Sequence, residues 1–238
     1  RQHKREETDD FGRSLRSAMR KMCSPYVPSE TVVMESAFFL IAEGLLNIPD
    51  VGSVNVKQAR AFLWNAAWLQ EHMNKQWRNE GVLPSHASTG SEIDSDSFCL
   101  AIMGPGGTGK TAVLRMIEAL TVFFAGADTV QKLAPSNAAA RLLGGDTLHA
   151  LCKLPFGQTT LAMKQGRLAK PALRQHQRRW ERAIQAFLDE VSMISADQFL
   201  QCDVRLRQAK LKPDARFGNL AMNICGDFLQ LPPVDKHG

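Results

Sequence analysis

Residues 104–111 read GPGGTGKT and fit the spacing G-x-x-x-x-G-K-[ST]. That pattern suits the triphosphate of a nucleotide. Negative oxygens must be held by backbone N–H groups pointing into one concavity, and a chain curled that tightly avoids Cβ clashes only at glycine. Gly104, Gly106, Gly107 and Gly109 supply that freedom, and Thr108 completes the cradle. Lys110 can reach the β- and γ-phosphates, and Thr111 can offer its hydroxyl to Mg²⁺. A helix starting there turns its positive end toward the anion. A second pair with chemical use is Asp189-Glu190. One carboxylate can hold the metal and the next can orient or deprotonate an attacking water. An Asp-Glu pair alone is usually solvated surface; its place directly after the apolar run Ala186-Phe187-Leu188 is what points to the site.

These groups need elements to carry them. Residues 98–103 form a short apolar run suited to a buried parallel strand, and Val113, Met116, Ile117, Leu120 and Phe124 recur at helical spacing after the glycines. Residues 129–134 predict a second strand, Ser136 and Asn137 a turn into a helix over 138–143, and Gly144-Gly145 its end. Thr147 to Leu151 predicts a short helical turn, 155–171 an irregular basic excursion, and 173–183 an arginine-bearing helix. Residues 184–188 predict a buried strand, 195–208 a helix and 220–225 a last strand ending in Gly226-Asp227. Strands alternating with helices predict an α/β fold with a parallel doubly wound sheet. In such sheets ligands bind beyond the carboxyl ends of the strands, where the glycine loop, the acid pair and the Asp227 turn would converge.

Upstream, residues 1–21 are charged and aperiodic, 29–46 predicts a packed helix, and 56–78 a long helix with one apolar face closed by Gly81 and Pro84. Residues 85–97, rich in Ser, Thr, Gly and Asp, predict a linker. The chain thus divides into a charged and helical segment over 1–50 and a nucleotide-binding domain over 51–238.

The 238 residues carry a net charge of +5 with a pI near 9.1, which permits a polyanionic partner without demanding one. Five cysteines (Cys23, Cys99, Cys152, Cys202, Cys225) lie far apart with no C-x-x-C pair, which points away from a zinc site or a disulfide framework and toward a reducing, intracellular compartment. No apolar run approaches the ~20 residues of a membrane span, so a soluble protein is expected.

Taken together, the motifs resemble the Pif family of superfamily-one DNA helicases, including the helicase part of Helitron transposons. GPGGTGKT matches motif I; APSNAAA at 134–140 with GDTLH at 145–149 matches motif Ia; LDEVSMI at 188–194 matches motif II; GDFLQLPPV at 226–234 matches motif III and is the most specific. Asn55-Val56-Lys57-Gln58 with Ala61-Phe62 is similar to the family's adenine-reading N-x-x-Q…A-F signature. The resemblance implies a RecA-like domain binding ATP and Mg²⁺. Gln58 would contact adenine, Lys110 and Thr111 the phosphates and metal, Asp189 the metal, Glu190 the water and Gln230 the γ-phosphate. Ser136, Asn137, Thr147 and His149 would hold single-stranded DNA. Asp146 departs from the basic or neutral residue common at its position.

The expectation is therefore domain 1A of a 5′-to-3′ DNA helicase, truncated before the second RecA-like domain that supplies arginines across the cleft. Its compartment, in a eukaryote, would be the nucleus or mitochondrion; oligomeric state stays open. A nucleotide- and DNA-binding module without motor activity is the alternative, and a P-loop kinase or unrelated ATPase a third reading.

Overall fold

The computed structural model describes residues 31–42, 54–81, 98–154 and 168–230. The charged opening, the ends of the first predicted helix, the linker at 85–97, most of the basic excursion and the end of the GDFLQLPPV motif from 231 onward lie outside the described residues. The chain resolves into two compact units, Arg1–Ser95 with Ala112–Ala127, and Asp96–Thr111 with Asp128–Gly238.

In the first unit, α1 (Val32–Ala42) packs on α2 (Val56–Asn79). Phe62, Ala66, Leu69, Met73 and Trp77 recur three or four residues apart on α2 and are buried, as are Val33, Ala37 and Leu40 on α1. A helix start leaves unpaired amides, and here a side chain from the neighbouring helix meets them: the Gln70 carbonyl oxygen accepts from Val33 N–H at 2.7 Å and Met34 N–H at 3.2 Å. Gln70 in turn donates to Asn74 at 2.9 Å. The start of α2 is closed by its own residues. Asn55 accepts from the Lys57 and Gln58 amides at 3.0 Å each, and the Gln58 side chain accepts from Asn55 N–H at 2.9 Å, a reciprocal capping box. Helix α3 (Lys110–Ala125) has all but its first two residues in this unit.

The second unit is a five-stranded, wholly parallel sheet. Its strands are β1 (Cys99–Met103), β2 (Val130–Ala134), β3 (Asp146–Thr147), β4 (Gln185–Leu188) and β5 (Ala221–Gly226), in the order β1-β5-β4-β2-β3. The parallel α/β sheet predicted from the alternation of elements is present. Strands β4 and β5 are buried at every residue, the pattern of central parallel strands covered on both faces. One buried cluster joins Leu188, Ile224 and Met222 of these strands to Leu148, Leu151 and Cys152 of α5 (Leu148–Cys152), Trp180 of α6 (Lys170–Trp180) and Cys202 and Leu206 of α7 (Ala196–Lys210). Lys210 locks the turn that leads from α6 into β4: its ammonium donates to the carbonyls of Trp180, Glu181 and Ala183, each at 3.0 Å.

Besides shifts of one to three residues at several element ends, two differences from the sequence reading stand out. The short β3 pairs Asp146 with Leu133 and Thr147 with Ala134, where only a helical turn is predicted. Helix α6 starts at Lys170, three residues early, because Pro171 sits in the first turn where its missing N–H has no partner to lose.

Candidate nucleotide-binding site

Beyond the carboxyl end of β1, Gly104 N–H donates to the Gly226 carbonyl at 3.2 Å and so ties the start of the loop to the end of β5. Gly107 and Gly109 take φ of 74° and 80°, the left-handed region that a side chain would strain. The loop closes on its own side chains. Thr108 donates to the Pro105 carbonyl at 2.8 Å, and the Lys110 ammonium donates to the Gly104 and Pro105 carbonyls at 2.6 and 2.9 Å. Helix α3 begins immediately after Gly109, a residue with no side chain to cap the first amides.

Strand β4 delivers the acid pair to the same end of the sheet. Asp189 is buried, and its N–H donates to the Leu133 carbonyl at 3.0 Å. One Asp189 oxygen accepts from the Thr111 hydroxyl at 3.1 Å and the other from Glu190 N–H at 3.0 Å, so the loop and the acids form one connected group. Glu190 holds φ at 54°, left-handed without being glycine. Burial, helped by the negative charges of Asp189 and Asp227, pushes its carboxyl above the usual range, while the Lys110 cation pulls it back. Burial likewise drives the Cys225 thiol up, with Asp189 adding to the effect. A Cβ placed on Gly226 would fall 2.7 Å from Val191 Cγ1, so the end of β5 lies directly against the turn that follows Glu190.

Gln230 reaches the loop itself: a Cβ added to Gly106 would stand 2.9 Å from Gln230 Nε2. Asp227 sets up that approach. Buried, it accepts from Leu229 N–H at 3.0 Å through its side chain and from Gln230 N–H at 3.0 Å through its carbonyl. Phe228, next to Asp227, is 72% exposed and so is not part of the core. The Thr111 hydroxyl and Asp189 carboxylate are hard oxygen donors 3.1 Å apart, a set that fits Mg²⁺. Among the described residues no group of three or more His, Cys, Asp and Glu could hold a metal, so an ion here would rely on these two oxygens, water and substrate phosphate.

The remaining predicted residues belong to other elements. Gln58 belongs to the first unit, where its side-chain oxygen is engaged in the cap of α2. Ser136, Asn137, Thr147 and His149 gather at the carboxyl ends of β2 and β3, on the opposite side of β4 from the glycine loop. Ser136 caps α4 (Asn137–Leu143) by accepting from Ala139 N–H at 3.2 Å, and Thr147 caps α5 by accepting from Ala150 N–H at 3.3 Å. Asn137 is exposed at the first position of α4, and His149 is half-buried in α5. Asp146 pairs with Arg179 of α6. Sequence reasoning named the Asp227 turn but gave Asp227 no role, and it overlooked Asn55 as a cap. The signals were there: Gly-Asp straight after a buried strand, and Asn three residues before Gln at a helix start.

A family profile described as PIF1-like helicase matches residues 85–238. The ATP-dependent DNA helicase PIF1 of Mus musculus is 38% identical over 148 residues, covering 53% of this chain and 22% of that protein. Its Homo sapiens counterpart is 38% identical over 136 residues, 56% of this chain and 20% of that protein. The helicase PIF6 of Trypanosoma brucei brucei is 31% identical over 163 residues, 68% of this chain and 19% of that protein. Among solved structures, one described as the structural basis for DNA unwinding at forked duplex DNA by two coordinating Pif1 helicases matches with a TM-score of 0.51 and 26% identity, over 71% of this chain and 35% of that chain. This chain spans about a fifth of the length of the curated relatives it matches.

Proposed function

The chain belongs to the PIF1-like helicase family, and on that premise we propose that it is the RecA-like, ATP-binding domain 1A of an ATP-dependent DNA helicase that translocates 5′ to 3′ along single-stranded DNA. The observation that carries this reading is the hydrogen bond between Thr111 and Asp189, which makes the glycine loop and the acid pair one site. In the proposed reaction Lys110 exchanges its loop carbonyls for the β- and γ-phosphates, and Thr111 and Asp189 hold Mg²⁺. The ion supplies charge neutralisation for phosphoryl transfer when bound. Glu190 directs the attacking water, for which a raised proton affinity suits it. Gln230 senses the γ-phosphate, and Gln58, held by its capping box, reads the adenine. Arginines from a second RecA-like domain complete the neutralisation, an effect worth roughly 10³–10⁵ in rate in P-loop enzymes.

Ser136, Asn137, Thr147 and His149 are proposed to guide the single strand along the edge formed by β2 and β3. The setting is DNA repair, recombination or telomere maintenance in the nucleus or mitochondrion; among the described residues no helix is long and apolar enough to cross a membrane. Strand separation by the full-length protein on 5′-tailed and 3′-tailed duplexes, with Lys110→Ala as control, tests the proposal. Unwinding confined to the 5′-tailed duplex and lost in the variant is expected. Equal unwinding of both tails, or unwinding that survives Lys110→Ala, overturns it.

A further inference from the structure

Helix α6 lies outside the nucleotide site and carries a row of cations that the reaction does not use. Its sequence KPALRQHQRRW contains four basic residues and no acid. Lys170, Arg174 and Arg178 follow one another at four-residue intervals, which places them on one face about 6 Å apart along the axis. All three are exposed, and with Pro171 and Gln175 they line a groove of about 490 Å³ among the described residues. That spacing is close to the separation of neighbouring phosphates on a polynucleotide.

The opposite face is fixed to the fold. Trp180 is fully buried and donates from its indole to the Leu151 carbonyl at 3.3 Å, and His176 bonds the Arg205 carbonyl at 3.1 Å. The row is therefore presented on a rigid support. On the flank, Arg179 pairs with Asp146 of β3 and binds α6 to the edge of the sheet. Asp146 thus has an internal partner.

We propose that the Lys170-Arg174-Arg178 face of α6 is a docking surface for the phosphate backbone of duplex DNA. The choice of duplex over single strand follows from what the face lacks. Sites for single strands combine cations with aromatic rings on which unstacked bases lie. None of the five described groove residues is aromatic, so the face presents cations for phosphates without the rings that single-strand sites add to them. A duplex, whose bases stack on each other and whose phosphates point outward, matches such a surface. Contacts of this type position the nucleic acid without reading its sequence.

The inference rests on the helicase reading, and the test separates the two. The full chain is titrated with blunt duplex DNA and with single-stranded DNA over a range of salt, comparing wild type with the triple variant Lys170→Gln, Arg174→Gln, Arg178→Gln. A second triple variant, Arg60→Gln, Lys75→Gln, Lys212→Gln, removes the same charge from exposed positions elsewhere. The α6 variant is expected to lower the slope of log affinity against log salt for duplex by about 2.7, at about 0.9 per lost phosphate contact. The control variant should leave the slope in place, and retained nucleotide binding shows that the α6 variant is folded. An unchanged duplex slope with single-strand binding intact overturns this inference alone. Slope loss confined to single strands does the same, as does displacement of duplex from wild type by polyglutamate but not by competitor duplex. Wild type that binds neither duplex nor single strand at low salt overturns the docking surface and the helicase reading together.

Discussion

Three helices start at the carboxyl ends of parallel strands, and they treat their first amides in two ways. Helix α3 follows Gly109, which has no side chain, so the residue before it leaves its amides to whatever arrives from outside. Helices α4 and α5 follow Ser136 and Thr147, whose hydroxyls already accept from those amides. The contrast separates a helix start left open to an anion from two whose own side chains already meet one of the first amides. It also shows why the strand-holding role assigned to Ser136 and Thr147 is harder to sustain than the phosphate role of the loop: a DNA phosphate would have to share or displace a cap.

The strongest break in that comparison comes from the loop side. Glu190→Gln in the full-length protein should still bind ATP and DNA while hydrolysis falls by about 10²–10⁴-fold. Its fold should not be weakened. A carboxyl whose proton affinity is raised by folding favours the folded state only below its unfolded pKa and opposes it as pH rises, so the amide should unfold no more easily at neutral pH. Steady-state hydrolysis and a denaturant titration check both halves; near-normal turnover moves the water-directing role elsewhere.

Acid offers the next test, through a buried histidine that lies outside both kinds of helix start. His176, on the buried face of α6, is held to a pKa of about 4, chiefly by burial, and its Nδ1 has no hydrogen-bond partner. The unfolded chain takes up this proton near pH 6.5 while the folded chain resists until about 4. Stability should be level above 6.5 and fall by about 3 kcal/mol as pH drops to 4. His176→Gln, which cannot titrate, should flatten that decline in denaturant titrations run at pH 7 and 4.5. An equally steep decline in the variant would remove His176 as its source.

The smallest effect sharpens the comparison most. Ser136→Ala and Thr147→Ala should each cost about 1 kcal/mol of stability, while glycine at either position should cost only a few tenths. If these hydroxyls are caps alone, the glycine variants keep wild-type affinity for single-stranded DNA. A loss of affinity in Ser136→Gly beyond its loss of stability would show that the hydroxyl also serves the strand.

Much of the site was legible because its chemistry is local. The glycine loop occupies eight consecutive residues, and the acid pair directly follows a run of buried residues, so pattern and position coincide. What sequence could not give is set by contacts between distant segments. The strand β3 has two residues, too few to show an alternation, and exists only because β2 offers it a register. Gln58 matched a signature, but its part in the cap of α2 emerged from hydrogen bonds. The role of Asp227 depends on Glu190, 37 residues earlier in the chain, being brought near enough for its charge to matter.

The left-handed backbone at Glu190 offers a way to judge other copies of this sequence. An ordinary side chain there costs about 1–2 kcal/mol, and glycine would relieve it. Folding alone would therefore drive the position toward glycine or asparagine, and on the proposed function use of the carboxylate holds it at glutamate. In a set of related genes, drift at this one codon toward glycine, with the loop and core unchanged, would mark the copies that no longer use the carboxylate while their folds persist.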